Sequence, residues 1–569
     1  MGSMHPALPM LIGSLLLPFL GQRLRQVALV ALPAWGLVNI LGFELGDTAT
    51  WTFAGIELQV LRYDALARLF GILFHIAAII GAIYALHVKD RMQHFTGIAY
   101  AASAVGAVMA GDLFTLFLFW ELLAVTSVFQ VYAPGTAESR RAGGRYLLAH
   151  ISSGLLLLFG TALLYMQTGS FAFEAMTLDS SATWMIFGAF GIKVGFPILH
   201  HWIVDAYPAS NAAGTLFLSA FTTKTAVYCL ARGFAGAEEL IYIGAVMCLF
   251  PIFYAVIEND LRRVLSYSMI NQIGFMVVGI GIGTPLAING AVAHAFADVI
   301  FKGLLFMSMG AVHHRVGTTK GTELGGLYKS MPQTTFFCLV GAASISAVPM
   351  FSAFVTKSMI MVAAAELDMT WLWLILLFAS AGVLEHAGIK IPYFAFFAHD
   401  SGKRPKEAPL NMRVAMAISS VLCVLIGCFP LVFYKLLPSM PALADGSAYH
   451  AYSFTHVVTQ IQLLMFAAAA VFGMMLLKKY PAEVPSVNVD ADVLWRKGLA
   501  GLWRKVLGPI FQAASNVEEA FLGWLPKQAV VVFGKRMPRL AIFQEWAAGS
   551  IVALITLMLA AYLALQYLA

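Results

Sequence analysis

The chain has 569 residues, of which 60% are hydrophobic and 11% charged, with a net charge of +6. Its mean hydropathy is +0.81. A soluble domain carries about 25% charged residues, so this composition excludes a water-soluble globule and points to an integral membrane protein. In such a protein excess basic charge marks cytoplasmic loops, and no nucleic-acid-binding motif is present, so no nucleic-acid partner is expected.

In chain order, Met1-Gly2-Ser3-Met4 has the look of an expression scar. The stretch from Leu8 to Leu20 has the size of a signal peptide, but it lacks a basic start and many spans follow, so it is taken as a short first membrane helix. On a ruler of roughly 20 apolar residues per helix, sixteen candidate spans lie near 5–20, 26–43, 64–88, 94–110, 112–133, 145–168, 182–207, 211–231, 240–257, 264–284, 286–312, 333–364, 371–398, 411–437, 456–477 and 547–568. The seventh and twelfth are long or interrupted, and each is taken as one broken helix. Basic residues gather in alternate loops, among them Arg23 and Arg25, Lys89 and Arg91, Arg140 and Arg141, Arg262 and Arg263, Lys320 and Lys329, Lys403 and Arg404, and Lys478 and Lys479. The intervening loops carry Glu44, Asp47, Glu57, Glu174, Asp179, Glu238, Glu239, Glu366, Asp368 and Asp445. This alternation puts the basic loops in the cytoplasm of a bacterial inner membrane and both termini outside.

Residues 481–546 are mixed, basic and proline-broken. Trp495, Leu499, Leu502, Val506 and Ile510 fall at helical spacing with Arg496, Lys497, Arg504 and Lys505 between them, which reads as an amphipathic helix lying in the interface. The alternative is a plain cytoplasmic linker. Cys229, Cys248, Cys338, Cys423 and Cys428 all lie in apolar segments without a CxxC, and Gly279, Gly281 and Gly283 end an apolar helix rather than follow a strand. Neither pattern fits a disulfide framework, an iron–sulfur site or a dinucleotide fold, so no cofactor and no metal are expected.

The informative residues are the charges that the apolar spans fail to exclude. Glu121, Lys193, Lys224, Lys357, the trio His294, Asp298 and Lys302, and the cluster Glu385, His386 and Lys390 all sit within spans. Each Asp, Lys or Arg at a helix centre costs about 2.5–3.5 kcal/mol, so eight unpaired acids and lysines would together cost on the order of 20 kcal/mol. They must pair, line a hydrated interior or change protonation state. His294, Asp298 and Lys302 at i, i+4 and i+8 share one helical stripe, whereas Glu385 and Lys390, five apart, align less well. Any one of these could be a structural ion pair, but the set looks like a transport path that works by reversible protonation, because burial and neighbouring charge move lysine and carboxylate proton affinities in opposite directions. Gly195 and Pro197 follow Lys193, and Gly341 and Pro349 precede Lys357, which marks two broken helices five spans apart. Repeats of five spans, an odd number, are inverted relative to each other. The expected fold class is an all-α integral membrane protein of about 14–16 transmembrane helices with two inverted five-helix repeats, each containing a broken helix. The domain layout is N-terminal helices at 1–92, repeats at 93–235 and 236–400, additional helices at 401–480, the lateral segment at 481–546 and a last span at 547–569.

Over residues 60–435 the chain resembles the proton-conducting antiporter-like membrane subunits: the A-type and D-type subunits of Mrp antiporters and the three large antiporter-like subunits of respiratory complex I. The motifs are FWELLAVTS at Glu121, KVGFPILHHWIVDAYP at Lys193, TTKTAVY at Lys224, NDLRRVLSYSMINQIGF, AHAFADVIFKGLLFMSMGAV, GGLYKSMP, and Lys357 after Pro349. DAYPASNAAGTLFLSAFTTKTAVY and HAGIKIPYFAFFA look most like the D-type subunit. Asp298 stands where many relatives have a second histidine, His200 and His201 stand where relatives often have one, and the tail is longer than in a typical D-type subunit. The resemblance implies two half-channels joined by a Glu/Lys/His relay. Glu121 would pair with Lys193 and tune its proton affinity, Lys224 and His294 would bridge toward Lys302, and Lys357 would open to the opposite side. It implies one component of a multisubunit Na+/proton antiporter that is not itself an enzyme, with other membrane subunits as partners and protons and Na+ as cargo. The alternatives are a proton-pumping arm of a complex I or membrane-hydrogenase type of redox complex, a proton channel energising inorganic-carbon uptake through a soluble zinc-dependent partner, and a non-conducting scaffold.

Overall fold

The computed structural model describes residues 4–477 apart from 54, and beyond them 479, 480, 484, 488–494, 498, 501 and 505. The amphipathic segment expected near Trp495–Phe511 and the last span at 547–568 lie outside the described residues except for those isolated positions. The chain divides into two units, Met1–Asn488 and Val489–Ala569. The second has few described residues, and the architecture below is that of the first.

Helix α1 (Leu8–Leu16) runs into a 3-10 turn at Leu17–Phe19, and α2 spans Gln22–Ile40. Strands β1 (Thr48–Phe53) and β2 (Ile56–Arg62) form an antiparallel hairpin. This corrects the purely helical expectation locally: the acidic loop after the second span alternates β-branched, aromatic and polar residues, a strand pattern. Helix α3 (Ala65–Ala85) follows, capped by the Asp64 side chain.

Two quintets of spans then match one another in order. The first has α4 (Arg91–Met109), α5 (Leu113–Tyr132), the 32-residue α6 (Ala137–Thr168), the pair α7 (Ser181–Val194) and α8 (His201–Ala209), and the pair α9 (Ala212–Ala220) and α10 (Thr222–Gly233). The second has α11 (Glu239–Ile257), α12 (Leu261–Ile282), the 32-residue α13 (Pro285–Val316), the pair α14 (Pro332–Ile345) and α15 (Ser352–Glu366), and α16 (Thr370–Val383) continuing through π-helical turns at Leu384–Ile389 and Tyr393–Phe397 on either side of α17 (Lys390–Pro392). Helices α18 (Leu410–Cys428), α19 (Pro430–Tyr434) and α20 (Phe454–Leu476) complete the described chain.

Among the described residues, nine helices are long and apolar enough to cross a membrane. Of the remaining spans, α1 is short, α2 and α4 are long enough but less apolar, and others are cut in two, as expected for the seventh and twelfth. The eighth span was expected to be continuous and is interrupted at Phe221, whose φ of −105° and ψ of −62° separate α9 from α10. Helix α6 begins eight residues before the span expected at 145–168, so Arg140 and Arg141 lie on a helix rather than in a loop. Helices α12 and α13 form the centre: the apolar window of α13 is 100% buried, against 11% for α20. Exposed Leu118, Val125 and Phe129 on α5, and Leu148 and Phe159 on α6, give these helices an apolar outer face suited to lipid or to another apolar surface.

Candidate functional site

The two broken helices open gaps at the positions of the key lysines. Helix α7 stops at Gly195, which adopts the left-handed conformation that terminates helices, and the connection to α8 also holds Ile198 at a φ of 73°. Between α14 and α15, Ala347 and Met350 have φ values of 56° and 74°. A positive φ costs a β-branched or bulky residue energy, and such strain tends to collect at functional positions. Each break leaves helix-end carbonyls without intrahelical partners in the middle of the fold.

Lys193, in the last turn of α7, is fully buried; its ammonium donates to the Trp120 carbonyl at 2.7 Å and sits 4.0 Å from the centre of the Trp120 ring. Trp120 immediately precedes Glu121 on α5. The expected Glu121–Lys193 pair is therefore a neighbourhood rather than a hydrogen-bonded ion pair. Glu121 Oε1 is buried without a hydrogen-bond partner. It lies against Gly154 of α6, where an added Cβ would collide with the carboxylate. The residue as a whole is only half-buried, on the side of α5 that exposes Leu118 and Val125.

Lys224 lies just beyond the Phe221 interruption. It forms an ion pair with Asp298 at 2.6 Å, with both side chains fully buried, and its ammonium also lies 3.4 Å from the Ser219 carbonyl. Four residues along α13 from Asp298, Lys302 donates to Ser268 Oγ at 2.7 Å. On the other side, His294 contacts Thr356 Oγ1 at 3.0 Å through Nδ1 and Gln272 Oε1 at 3.2 Å through Nε2. Thr356 adjoins Lys357, whose ammonium lies 4.8 Å from the Phe275 ring and 3.5 Å from the Ile345 carbonyl at the end of α14. The i, i+4, i+8 stripe on α13 thus joins α10, α12 and α15. Lys224 meets the stripe at Asp298, between His294 and Lys302.

The last pair stands apart. Lys390 donates to the carbonyls of Ala255, Val256 and Glu258. Glu385 accepts from the Tyr480 hydroxyl. Their five-residue spacing, poorly aligned on an α-helix, falls in a π-helical turn, whose i→i+5 bonding brings such positions to one face. Pro392, which has no N–H to give to Gly388, accompanies the change of winding.

Several site residues escaped sequence reasoning. Ser268 and Gln272 are four apart on α12 and address Lys302 and His294; polar residues at i and i+4 in an apolar span were the available signal. His150 is fully buried beside Tyr146 and Trp202, with ring centroids at 4.0 and 4.6 Å, and neither ring nitrogen has a hydrogen-bond partner. Arg262, counted among the cytoplasmic loop charges, is buried and donates to the Tyr207, Pro208 and Ser210 carbonyls at the end of α8 and to Thr215.

Two matching sets of five spans, a broken helix in each, and a row of buried lysines make up the centre of the fold. Residues 110–382 match the family model described as NADH:quinone oxidoreductase/Mrp antiporter, TM. Over those residues, just under half of the chain, it is similar to that family. The D-type subunit of the Na(+)/H(+) antiporter of Alkalihalophilus pseudofirmus is 27% identical over 390 residues, which cover 63% of this chain and 79% of that protein. A probable K(+)/H(+) antiporter component of Rhizobium meliloti, of the A/B type, is 28% identical over 404 residues; the match takes in 65% of this chain but spans only 40% of the relative's length. A chain in the structure of the membrane-bound sulfane sulfur reductase, an archaeal respiratory membrane complex, shares the fold with a TM-score of 0.71 at 22% identity, covering 97% of this chain and 99% of that one.

Proposed function

We propose that this chain is the proton-translocating subunit of a multisubunit monovalent cation/proton antiporter in a bacterial inner membrane, with its basic loops in the cytoplasm and the repeats bounded near 93–235 and 236–400. Protons move along Glu121, Lys193, Lys224, Asp298, Lys302, His294 and Lys357, and the cluster of Glu385 and Lys390 lies at the cytoplasmic end of α11. The observation that carries this reading is the row of fully buried ionisable side chains lying against two broken helices, since intramembrane charges at such cost mark ion pathways. Membership of a larger assembly is supported by Glu121: a carboxylate on the lipid-side stripe of α5 costs about 2.5–3.5 kcal/mol unless a neighbour covers it. The relatives named as components of Na(+)/H(+) and K(+)/H(+) antiporters agree with it.

A second reading, the pumping arm of a redox complex, draws on the likeness over 97% of this chain to a chain of an archaeal respiratory complex. Gentle purification from the native membrane with identification of partners separates the two, followed by Na+ and K+ pulses on everted vesicles with a pH-sensitive dye. Small multispan partners and cation-driven proton movement support antiport. Iron–sulfur or nicotinamide-binding partners without such movement would replace it with the redox reading, and a soluble zinc protein as sole partner would favour carbon uptake.

A further inference from the structure

Helix α11 ends at Ile257, and the chain leaves it extended at Glu258, with φ −78° and ψ 135°. The last carbonyls of a helix have no intrahelical partner and carry its negative dipole end. Here three of them converge on one point: the oxygens of Val256, Glu258 and Ala255 lie 2.6, 2.7 and 3.2 Å from Lys390 Nζ. Two acids belong to this region: Glu258, whose own carbonyl is one of the three, and Glu385, whose carbonyl accepts from the Lys390 N–H. Glu258 accepts from the backbone N–H groups of Asn259 and Asp260 and from Asn488, and Glu385 accepts from Tyr480. Lys390 and Glu258 are almost completely buried.

A lysine ammonium is a compact point cation, close to a potassium ion in size, whereas a guanidinium is a planar fork. Arg262 illustrates the contrast: it closes the end of α8 with a group that no simple ion can imitate. Convergent backbone carbonyls at helix ends are the usual ligands of monovalent cations at membrane depth. Lys390 also opens the short α17 between two π-helical turns, where the backbone can return to continuous α-helical winding by passing on one residue.

We propose that the Ala255, Val256 and Glu258 carbonyls form a monovalent-cation site of ammonium or potassium size that Lys390 fills with its own ammonium in this state. A free cation enters when Lys390 withdraws, and local charge is conserved because one positive charge replaces another. The inference rests on the antiport reading for its role in exchange, but not for the existence of the site.

The test is chemical rescue of the purified full-length Lys390→Ala chain, followed by thermal unfolding in choline, lithium, sodium, potassium and ammonium chlorides at equal ionic strength. The expected result is a lowered Tm in choline chloride that potassium and ammonium restore toward the wild-type value, while wild type unfolds alike in all five salts. A variant whose Tm responds to potassium and ammonium no more than to choline overturns the site. If Lys390→Ala does not fold, Lys390→Gln, which keeps the length and donors but not the charge, is read in the same way. Rescue without cation-driven proton movement in vesicles would keep the site and remove the antiport reading; antiport without rescue would do the reverse.

Discussion

Lys193 and Lys357 occupy corresponding spans of the two repeats, yet they are held differently. Each ammonium meets a backbone carbonyl, and each also meets an aromatic face from the second span of its own quintet. For Lys193 these are the Trp120 carbonyl at 2.7 Å and the Trp120 ring at 4.0 Å; for Lys357 they are the Ile345 carbonyl at 3.5 Å and the Phe275 ring at 4.8 Å. The residue after Trp120 is Glu121, whereas the residue after Phe275 is Met276. The first half therefore has its own carboxylate beside a tightly held lysine. The second half has a more loosely held lysine, and the carboxylate on its central helix, Asp298, is already paired with Lys224. Common architecture thus holds two unequal lysine sites, and under the proposed function a proton flow between them needs this inequality to be reversible.

The largest expected effect comes from removing the carboxylate at the junction of the halves. Asp298→Ala leaves Lys224 buried and unpaired, a change that costs about 3–5 kcal/mol. The double variant Asp298→Ala with Lys224→Met should recover most of that loss in thermal unfolding. Equal stability of the single and double variants would show that the pair does not hold the halves together. Next comes the first half alone. Gly154→Ala places a methyl group against Glu121 Oε1 and should lower proton flux while the chain still inserts and purifies; unchanged flux would release Glu121 from its assigned position. Smaller still is the ring contrast. Trp120→Leu and Phe275→Leu each remove a cation–π contact worth about 0.5–2 kcal/mol, and the shorter contact predicts the greater loss of stability for Trp120→Leu. Equal losses would mean that the two lysines are held alike, and a reversed order that Lys357 is held the more tightly.

The smallest effect lies outside the membrane. Asp400 in the loop before α18 is held below the usual carboxylate range by hydrogen bonds from Arg404 and Lys329 and from the Gly402 N–H. A depressed folded-state pKa contributes stability above the unfolded value and loses it as pH falls through the folded one. The group lies at the surface, so Asp400→Asn should change unfolding at neutral pH only slightly and leave proton flux alone.

The charged row was legible in the sequence because lysines and acids are conspicuous in apolar spans, and the two broken helices were legible from glycine and proline beside Lys193 and Lys357. Partner choice was not. Spacing places His294, Asp298 and Lys302 on one face of a helix, but it cannot say that Lys224 would meet Asp298 or that His294 would sit between Gln272 and Thr356, because those contacts are made by packing between helices. Periodicity also failed where the winding itself changes. The interruption at Phe221 has neither glycine nor proline next to it, and the π-helical turns around Lys390 alter the period on which alignment was judged. The hairpin at β1 and β2 was passed over because its acids were read only as loop charge. Half-burial of Glu121 was likewise invisible, since a mid-span acid looks the same in sequence whether it faces the interior or a neighbour.

The central claim is that this row of side chains carries protons, and the most direct test is proton flux in everted vesicles containing the native complex, comparing wild type with Glu121→Gln. Loss of a positioned proton-transfer group predicts a fall of about a hundredfold with normal amounts of assembled complex. Undiminished flux in the assembled variant would contradict the account.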